Sequence, residues 1–291
     1  MSTLNVDNVL PQGTNIVNVN GVNIEGANNT VYAGNSSNIP SSSDSVIIGA
    51  GAATSLTGQS NVAIGRLTML SATTCITTVA VGAGAGQSLT TGSGNTFIGS
   101  TSGNNITTGG NNTCIGQQAG SSLTANVFSN TFIGNQAGNN TPSLTGQGNI
   151  CIGNGASPSA SAVSNEITLG INSINTLRCA QTSITSLSDA RDKKEIEELP
   201  VGLEFIKGLK PVKFVWDDRD EEGRHDIKDF GFIAQDLKKS QEDAELADTL
   251  KLVYESNPEK LEASYGKLIP ILVKAIQDLS AKVEALEAKK K

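Results

Sequence analysis

Charge is what most of this chain lacks. It holds 21 basic and 28 acidic side chains, yet only Asp7, Glu25, Asp44, Arg66, Glu166 and Arg178 precede residue 188. No stretch is basic enough to track a phosphate backbone, so no nucleic-acid partner is expected. Aromatics are scarce, and residues 46–187 contain only Phe97, Phe128 and Phe132. The same region offers Glu166 as its one carboxylate, whereas glycoside cleavage uses a pair. A polysaccharide-cleaving shaft is therefore not expected. No apolar run approaches the roughly 18 residues that span a bilayer, which argues against membrane insertion. The opening MSTLNVDNVLPQG lacks the positive and apolar blocks of a signal peptide, so assembly in a cytoplasm is expected.

Cysteine and histidine are equally thin. Cys75, Cys114, Cys151 and Cys179 form no CxxC pair, and the single histidine, His225, is far from all of them in sequence. Neither a metal site nor a cofactor is expected. Cys114 and Cys151 occupy a repeat position filled elsewhere by Ala or Phe, and read as small buried hydrophobes.

What is present is repetition. An aliphatic-variable-aliphatic-Gly unit ends at Gly49, Gly65, Gly82, Gly99, Gly116, Gly134, Gly153 and Gly170, at intervals of 16 to 19 residues. The residue before each glycine is Ile48, Ile64, Val81, Ile98, Ile115, Ile133, Ile152 or Leu169, always branched. Turn segments such as SLTTGSGN and NITTGGNN separate the copies, which predicts a solenoid of eight short-stranded coils. At about 4.8 Å per coil it would be on the order of 35–40 Å long. One strand cannot bury its own apolar face. The expectation is that the branched aliphatics stack into a dry column. The variable residues (Ile47, Ala63, Ala80, Phe97, Cys114, Phe132, Cys151, Thr168) would then face another chain, in a trimer. Residues 1–45, with alternating patches such as NIVNVNGVNI, predict short strands and an attachment segment. Residues 171–187 also alternate and predict strands leading into the junction.

The charge returns abruptly at Ser188-Asp189-Ala190-Arg191-Asp192-Lys193, and a composition shift of that kind marks a domain boundary. Read from its residues alone, the stretch is a helix start. Ser188 or Asp189 would be the cap, Asp189 and Asp192 would favour the N-terminus, and Ile196 with Leu199 would supply a buried face. Downstream, Val212, Phe214 and Trp216, then Phe230 and Phe232, alternate around DDRDEEGRHDIKD. That pattern predicts a hairpin with a charged tip, and His225 would be a solvated loop residue there. Asp218, Asp220, Glu222, Gly223, Asp226 and Asp229 approximate a calcium loop, but the last ligand is not Glu and the flanks read as strands. Near the C-terminus Ile269, Ile276 and Val283 alternate with Leu272, Leu279 and Leu286 at heptad spacing, which predicts a coiled coil. Pro270 fits only its first turn.

The C-terminal segment resembles the intramolecular chaperone auto-processing domain of phage tail fibres and tailspikes, the peptidase S74 type. The resemblance rests on SDARDKKEI, GLEFIKGLKPVKFVW, DFGFIAQDL and YGKLIPILVKAIQDL, in the family's order, with Asp236 where the family often has Glu. It implies self-cleavage between Leu187 and Ser188 by a serine–lysine endopeptidase that acts once on its own chain. Ser188 would be the nucleophile, Lys193 the general base, and Asp189 and Arg191 supporting residues. An ordinary lysine, with a pKa of about 10.4, holds its proton at neutral pH, so a base role requires burial or a neighbouring cation. The repeats NVAIG, NTFIG and NTCIG are similar to the NTAIG-type repeats of phage tail fibres and to the β-roll of trimeric autotransporter adhesin heads. The family is trimeric, whereas β-branched a positions with Leu at d favour two strands in isolation.

The sequence thus predicts a mainly β N-terminal solenoid, a trimeric β-roll or β-helix, followed by an α+β chaperone domain ending in a coiled-coil helix. The expected divisions are 1–45 for attachment, 46–187 for the shaft and 188–291 for the chaperone. The expected molecule is a homotrimeric phage fibre or appendage in the virion. It would be joined to tail or other virion proteins through its N-terminus, with a host surface receptor as a further candidate partner. The rivals are a trimeric surface adhesin of bacterial type and a fibre that keeps its C-terminal domain uncut as a trimerisation cap.

Overall fold

A computed structural model describes the chain except residues 1–15, 20–21, 26–29, 34–40, 125, 172, 175, 179, 181–184, 220–223 and 291. It divides into two compact units, one ending at Ile171 and one covering 172–291. The first contains an 11-stranded sheet. Strands β1 (Ile16–Val19), β2 (Val22–Glu25) and β3 (Thr30–Ala33) pair antiparallel. From β3 onward every pairing is parallel, through β4 (Val46–Ile48), β5 (Val62–Ile64), β6 (Val79–Val81) and β7 (Thr96–Ile98). The stack continues with β8 (Thr113–Ile115), β9 (Thr131–Ile133), β10 (Ile150–Ile152) and β11 (Ile167–Leu169). The register places each variable residue on the next, so that Ala80 pairs with Phe97 and Phe97 with Cys114.

The coil interior reverses the expected assignment of faces. Ile47, Ala63, Ala80, Phe97, Cys114, Phe132 and Cys151 are buried inside the coil, and the branched aliphatics point outward. Ile48, Ile98, Ile133, Ile152 and Leu169 are 37–54 % exposed. A strand with only three residues decides its faces by what flanks it. The Asn two positions before the variable residue has the same parity, and it is buried with that residue. Size inside the column is balanced locally. Gly86 and Gly103 leave room for the Phe97 ring, and a Cβ on either would press into it. At the strand ends glycine is compulsory: Gly99 has φ +129°, and a Cβ there would collide with the Gly116 carbonyl of the next coil.

Polar residues inside the coil are tied by a ladder. Asn61, Asn95, Asn112, Asn130 and Asn149 are buried. Oδ1 of Asn95 accepts from Asn112 N (3.0 Å), Oδ1 of Asn112 from Asn130 N (3.1 Å), and Oδ1 of Asn130 from Asn149 N (3.0 Å). Each Nδ2 donates to a turn carbonyl of the following coil, as Asn112 does to Val127 O at 2.9 Å. Glu166 takes the last rung and turns its carboxylate to Ser159 N and Oγ, at 2.7 and 2.6 Å. Cys75, Cys114 and Cys151 are buried free thiols, and Phe132 lies between Cys114 and Cys151 in the column. Burial pushes the Cys114 thiol far up and Cys151 to about 11. Cys179 lies outside the described residues.

The second unit is small and mixed. Helix α1 (Leu203–Gly208) precedes a hairpin of β12 (Val212–Asp217) and β13 (His225–Gly231). Then come α2 (Ala234–Asp243), α3 (Ala247–Leu250), the short pair β14 (Val253–Tyr254) and β15 (Glu262–Ala263), and α4 (Leu268–Ala288). Leu237, Leu250, Leu252, Val253, Leu268 and Ile271 form its core. Helix α4 buries Leu268, Ile271 and Ala275 and leaves the heptad residues Ile269, Leu272, Ile276, Leu279, Val283 and Leu286 exposed. The side chain of Asp278 on α4 accepts from Leu203 N at 3.1 Å, capping the start of α1. Among the described residues no helix is long and apolar enough to cross a membrane.

Candidate active site

The junction lies in the second unit and is built by one tight turn. Asp189 caps a single 3-10 turn, Ala190–Asp192, accepting from Arg191 N at 2.9 Å. Two further bonds close it, from Asp192 N to Asp189 O and from Lys193 N to Ala190 O, both 3.2 Å. The chain then leaves in extended geometry at Lys193, so the expected α-helix is absent. One turn has no apolar face to bury. Ile196 is accordingly exposed, whereas Leu199 reaches the core of this unit.

That turn carries Lys193 back to Ser188. Nζ lies 2.6 Å from Ser188 Oγ and 3.3 Å from the Ser188 carbonyl oxygen. Asp189 and Arg191 meet in a fork: Nε reaches both carboxylate oxygens at 3.1 Å and Nη2 reaches Oδ2 at 2.6 Å. The bonds from Arg191 hold the Asp189 carboxyl below the ordinary carboxylate range, and Asp189 in turn raises the guanidinium. Leu187 is fully exposed, and Ser188 and Lys193 are exposed too. The four residues named from the sequence are therefore adjacent in space, and the site is open to water in the single chain.

Residues 188–246 match the Peptidase S74 family, described as chaperone of endosialidase. The chain carries an S74 chaperone domain. Its first matched residue is Ser188, and the dyad geometry lies within the match. No curated protein matches the chain. The S74 domain, following a parallel solenoid, fits a phage fibre or endosialidase-type protein with a C-terminal chaperone.

The other candidates separate from this site. His225 Nδ1 lies 3.0 Å from Asp217 Oδ1 across the β12–β13 hairpin. Asp218 is bound to Arg224, whose guanidinium stacks 3.2 Å over the Trp216 ring, and Asp229 accepts from Trp216 Nε1 at 3.1 Å. Asp218 and Asp229 of the approximate calcium loop are thus engaged in an ion pair and hydrogen bonds, while Asp220, Glu222 and Gly223 lie outside the described residues. Sequence reasoning passed over an apolar groove of about 570 Å³ beside α4, lined among others by Phe230, Phe232, Tyr265 and Leu272. Tyr265 Oη accepts from Phe232 N there at 3.1 Å. The signal was the pairing of FGF with YGKL, two apolar blocks separated by a charged segment.

Proposed function

We propose that the protein is a homotrimeric phage tail fibre or appendage whose C-terminal domain assembles three chains and then cuts itself free before Ser188. The observation that carries the cleavage reading is the 2.6 Å approach of Lys193 Nζ to Ser188 Oγ, directly after a fully exposed Leu187. The neutral amine of Lys193 would take the hydroxyl proton as Oγ attacks the Leu187 carbonyl carbon. The Leu187–Ser188 amide bond then breaks, its nitrogen receives the proton, and an ester links Leu187 to Ser188 Oγ. Water hydrolyses that ester, leaving a Leu187 carboxylate and a free Ser188 amine. A lysine bathed in water keeps its proton, so covering of this site by neighbouring chains would couple cutting to assembly.

Trimerisation draws support from two uncovered apolar surfaces. One is the outer aliphatic column of the solenoid, Ile48 to Leu169, and the other is the heptad seam of α4. The attachment role of residues 1–45, a virion location and a host surface receptor complete the reading. Expression of the full chain tests it on a denaturing gel. Wild type should give fragments 1–187 and 188–291, with Ser188 as the new N-terminus. Ser188→Ala and Lys193→Ala should each leave one band near 30.0 kDa. A wild-type chain that assembles yet stays whole would leave the domain as an uncut trimerisation cap.

A further inference from the structure

The proposed dyad has an electrostatic problem that its neighbours address. Lys193 must become neutral to act, and the nearest carboxylates along the chain are Asp189, Asp192 and Glu195, with Lys194 as a neighbouring cation. A carboxylate bonded to the lysine would hold the proton on it, because an opposite charge within about 4–6 Å favours the charged form. Asp189 is the critical one, since it is adjacent to Ser188 and capping the turn fixes it there. Its carboxylate does not bond Lys193. Among the described residues Lys193 Nζ bonds only Ser188, and both oxygens of Asp189 are occupied by Arg191.

We infer that Arg191 is a positioning and charge-sequestering residue: it holds Asp189 in the cap that aims Lys193 at Ser188 and keeps that carboxylate from pairing with the lysine. This rests on the cleavage reading above. The fork suits the task, because a guanidinium binds both oxygens in one plane and a lysine at 191 would not. It also persists across the working range. The Asp189 carboxyl is held below its ordinary value, so the pair is intact above that value and is lost only as pH falls through the lowered one.

The test is the rate of self-cleavage of the full chain against pH, after refolding from denaturant, with assembly followed by size exclusion. Arg191→Ala should slow cleavage at neutral pH at least tenfold. It should also move the pH of half-maximal rate upward by about one unit, the low end of shifts caused by a nearby opposite charge. The deciding variant is Asp189→Asn in the Arg191→Ala background. Removing the freed carboxylate should restore the wild-type midpoint, while the plateau stays lower because the turn is looser. Arg191→Lys, which retains the cation but not the fork, should show a midpoint raised less than in Arg191→Ala and a reduced plateau. A double variant no better than Arg191→Ala overturns sequestration, because a purely structural pair predicts no rescue. Wild-type cleavage with an unaffected Arg191→Ala also overturns it, and leaves the dyad standing. An assembled wild type that stays whole at every pH overturns both.

Discussion

The solenoid and the C-terminal unit solve the problem of burial in opposite ways. In the solenoid each coil closes the one before it. Backbone bonds, the asparagine ladder and the Phe97–Phe132 column all run between successive coils, and hardly any charge is needed. In the C-terminal unit a core of a few leucines is ringed by ion pairs, such as Lys282–Glu204 at 3.0 Å and Lys274–Asp278 at 3.4 Å. It leaves Ile269, Ile276 and Phe230 in water. A stack is limited by its repeats and its ends, while the small unit is incomplete along one side. The first is suited to stacking, and the second leaves the apolar side on which the proposed assembly of chains draws.

The largest effect should come from breaking the stack at a corner. Gly99→Ala places a Cβ against the next coil's carbonyl at φ +129°, and should cost more than about 3 kcal/mol, giving insoluble or protease-sensitive shaft. Next is the ladder. Asn112→Ala leaves Asn130 N–H and Val127 C=O without their buried partners and should cost about 2–4 kcal/mol in denaturant unfolding. The same experiment on the other unit sharpens the contrast. Leu252→Ala in its core should cost about 2–4 kcal/mol. Ile276→Asp with Leu279→Asp should leave the helical circular dichroism of the unit intact, yet abolish self-association in sedimentation.

The smallest effect concerns acid. The bond from Leu203 N, opposed by desolvation and aided by Lys274 and Lys282, holds the Asp278 carboxyl below its ordinary value. Its contribution is complete above that ordinary value and disappears as pH falls through the lowered one. The melting temperature of the isolated second unit should therefore drop more steeply with acid in wild type than in Asp278→Asn, by a few degrees at most.

Much of this architecture is legible in the chain because repetition and heptad spacing are periodic. The eight strands fall on the glycine-ended units and the exposed seam on its heptads, while the hairpin forms where expected but its second strand begins at His225, inside the segment read as the tip. The faces of the coil are not legible by hydropathy, since both sides of a three-residue strand are apolar. Asparagine held the answer. Recurring at 61, 95, 112, 130 and 149, it shares parity with the variable position, but a polar residue in an alternating pattern reads as solvent-facing unless a neighbouring coil supplies its partners. The junction was misread in the same local way. A cap and two acids resemble a helix start, yet Asp189 closes one turn and the chain departs in extended geometry. That Ser188 and Lys193 meet follows from the turn, and the fork between Asp189 and Arg191 is visible only in three dimensions.

The ladder also bears on how long such a rod lasts. Asparagine is the residue most prone to spontaneous deamidation, in which the following backbone nitrogen attacks the side-chain amide to form a cyclic imide. For Asn95, Asn112, Asn130 and Asn149 that nitrogen belongs to Thr96, Thr113, Thr131 and Ile150. Each donates its hydrogen to the next coil at 2.8 Å. The attacking atom is held flat in a strand and crowded by a branched side chain, while the target amide is clasped on the other side. Residues that would ordinarily serve as a chemical clock are stopped by the stacking that buries them. The solenoid would escape this form of ageing for as long as its coils stay closed.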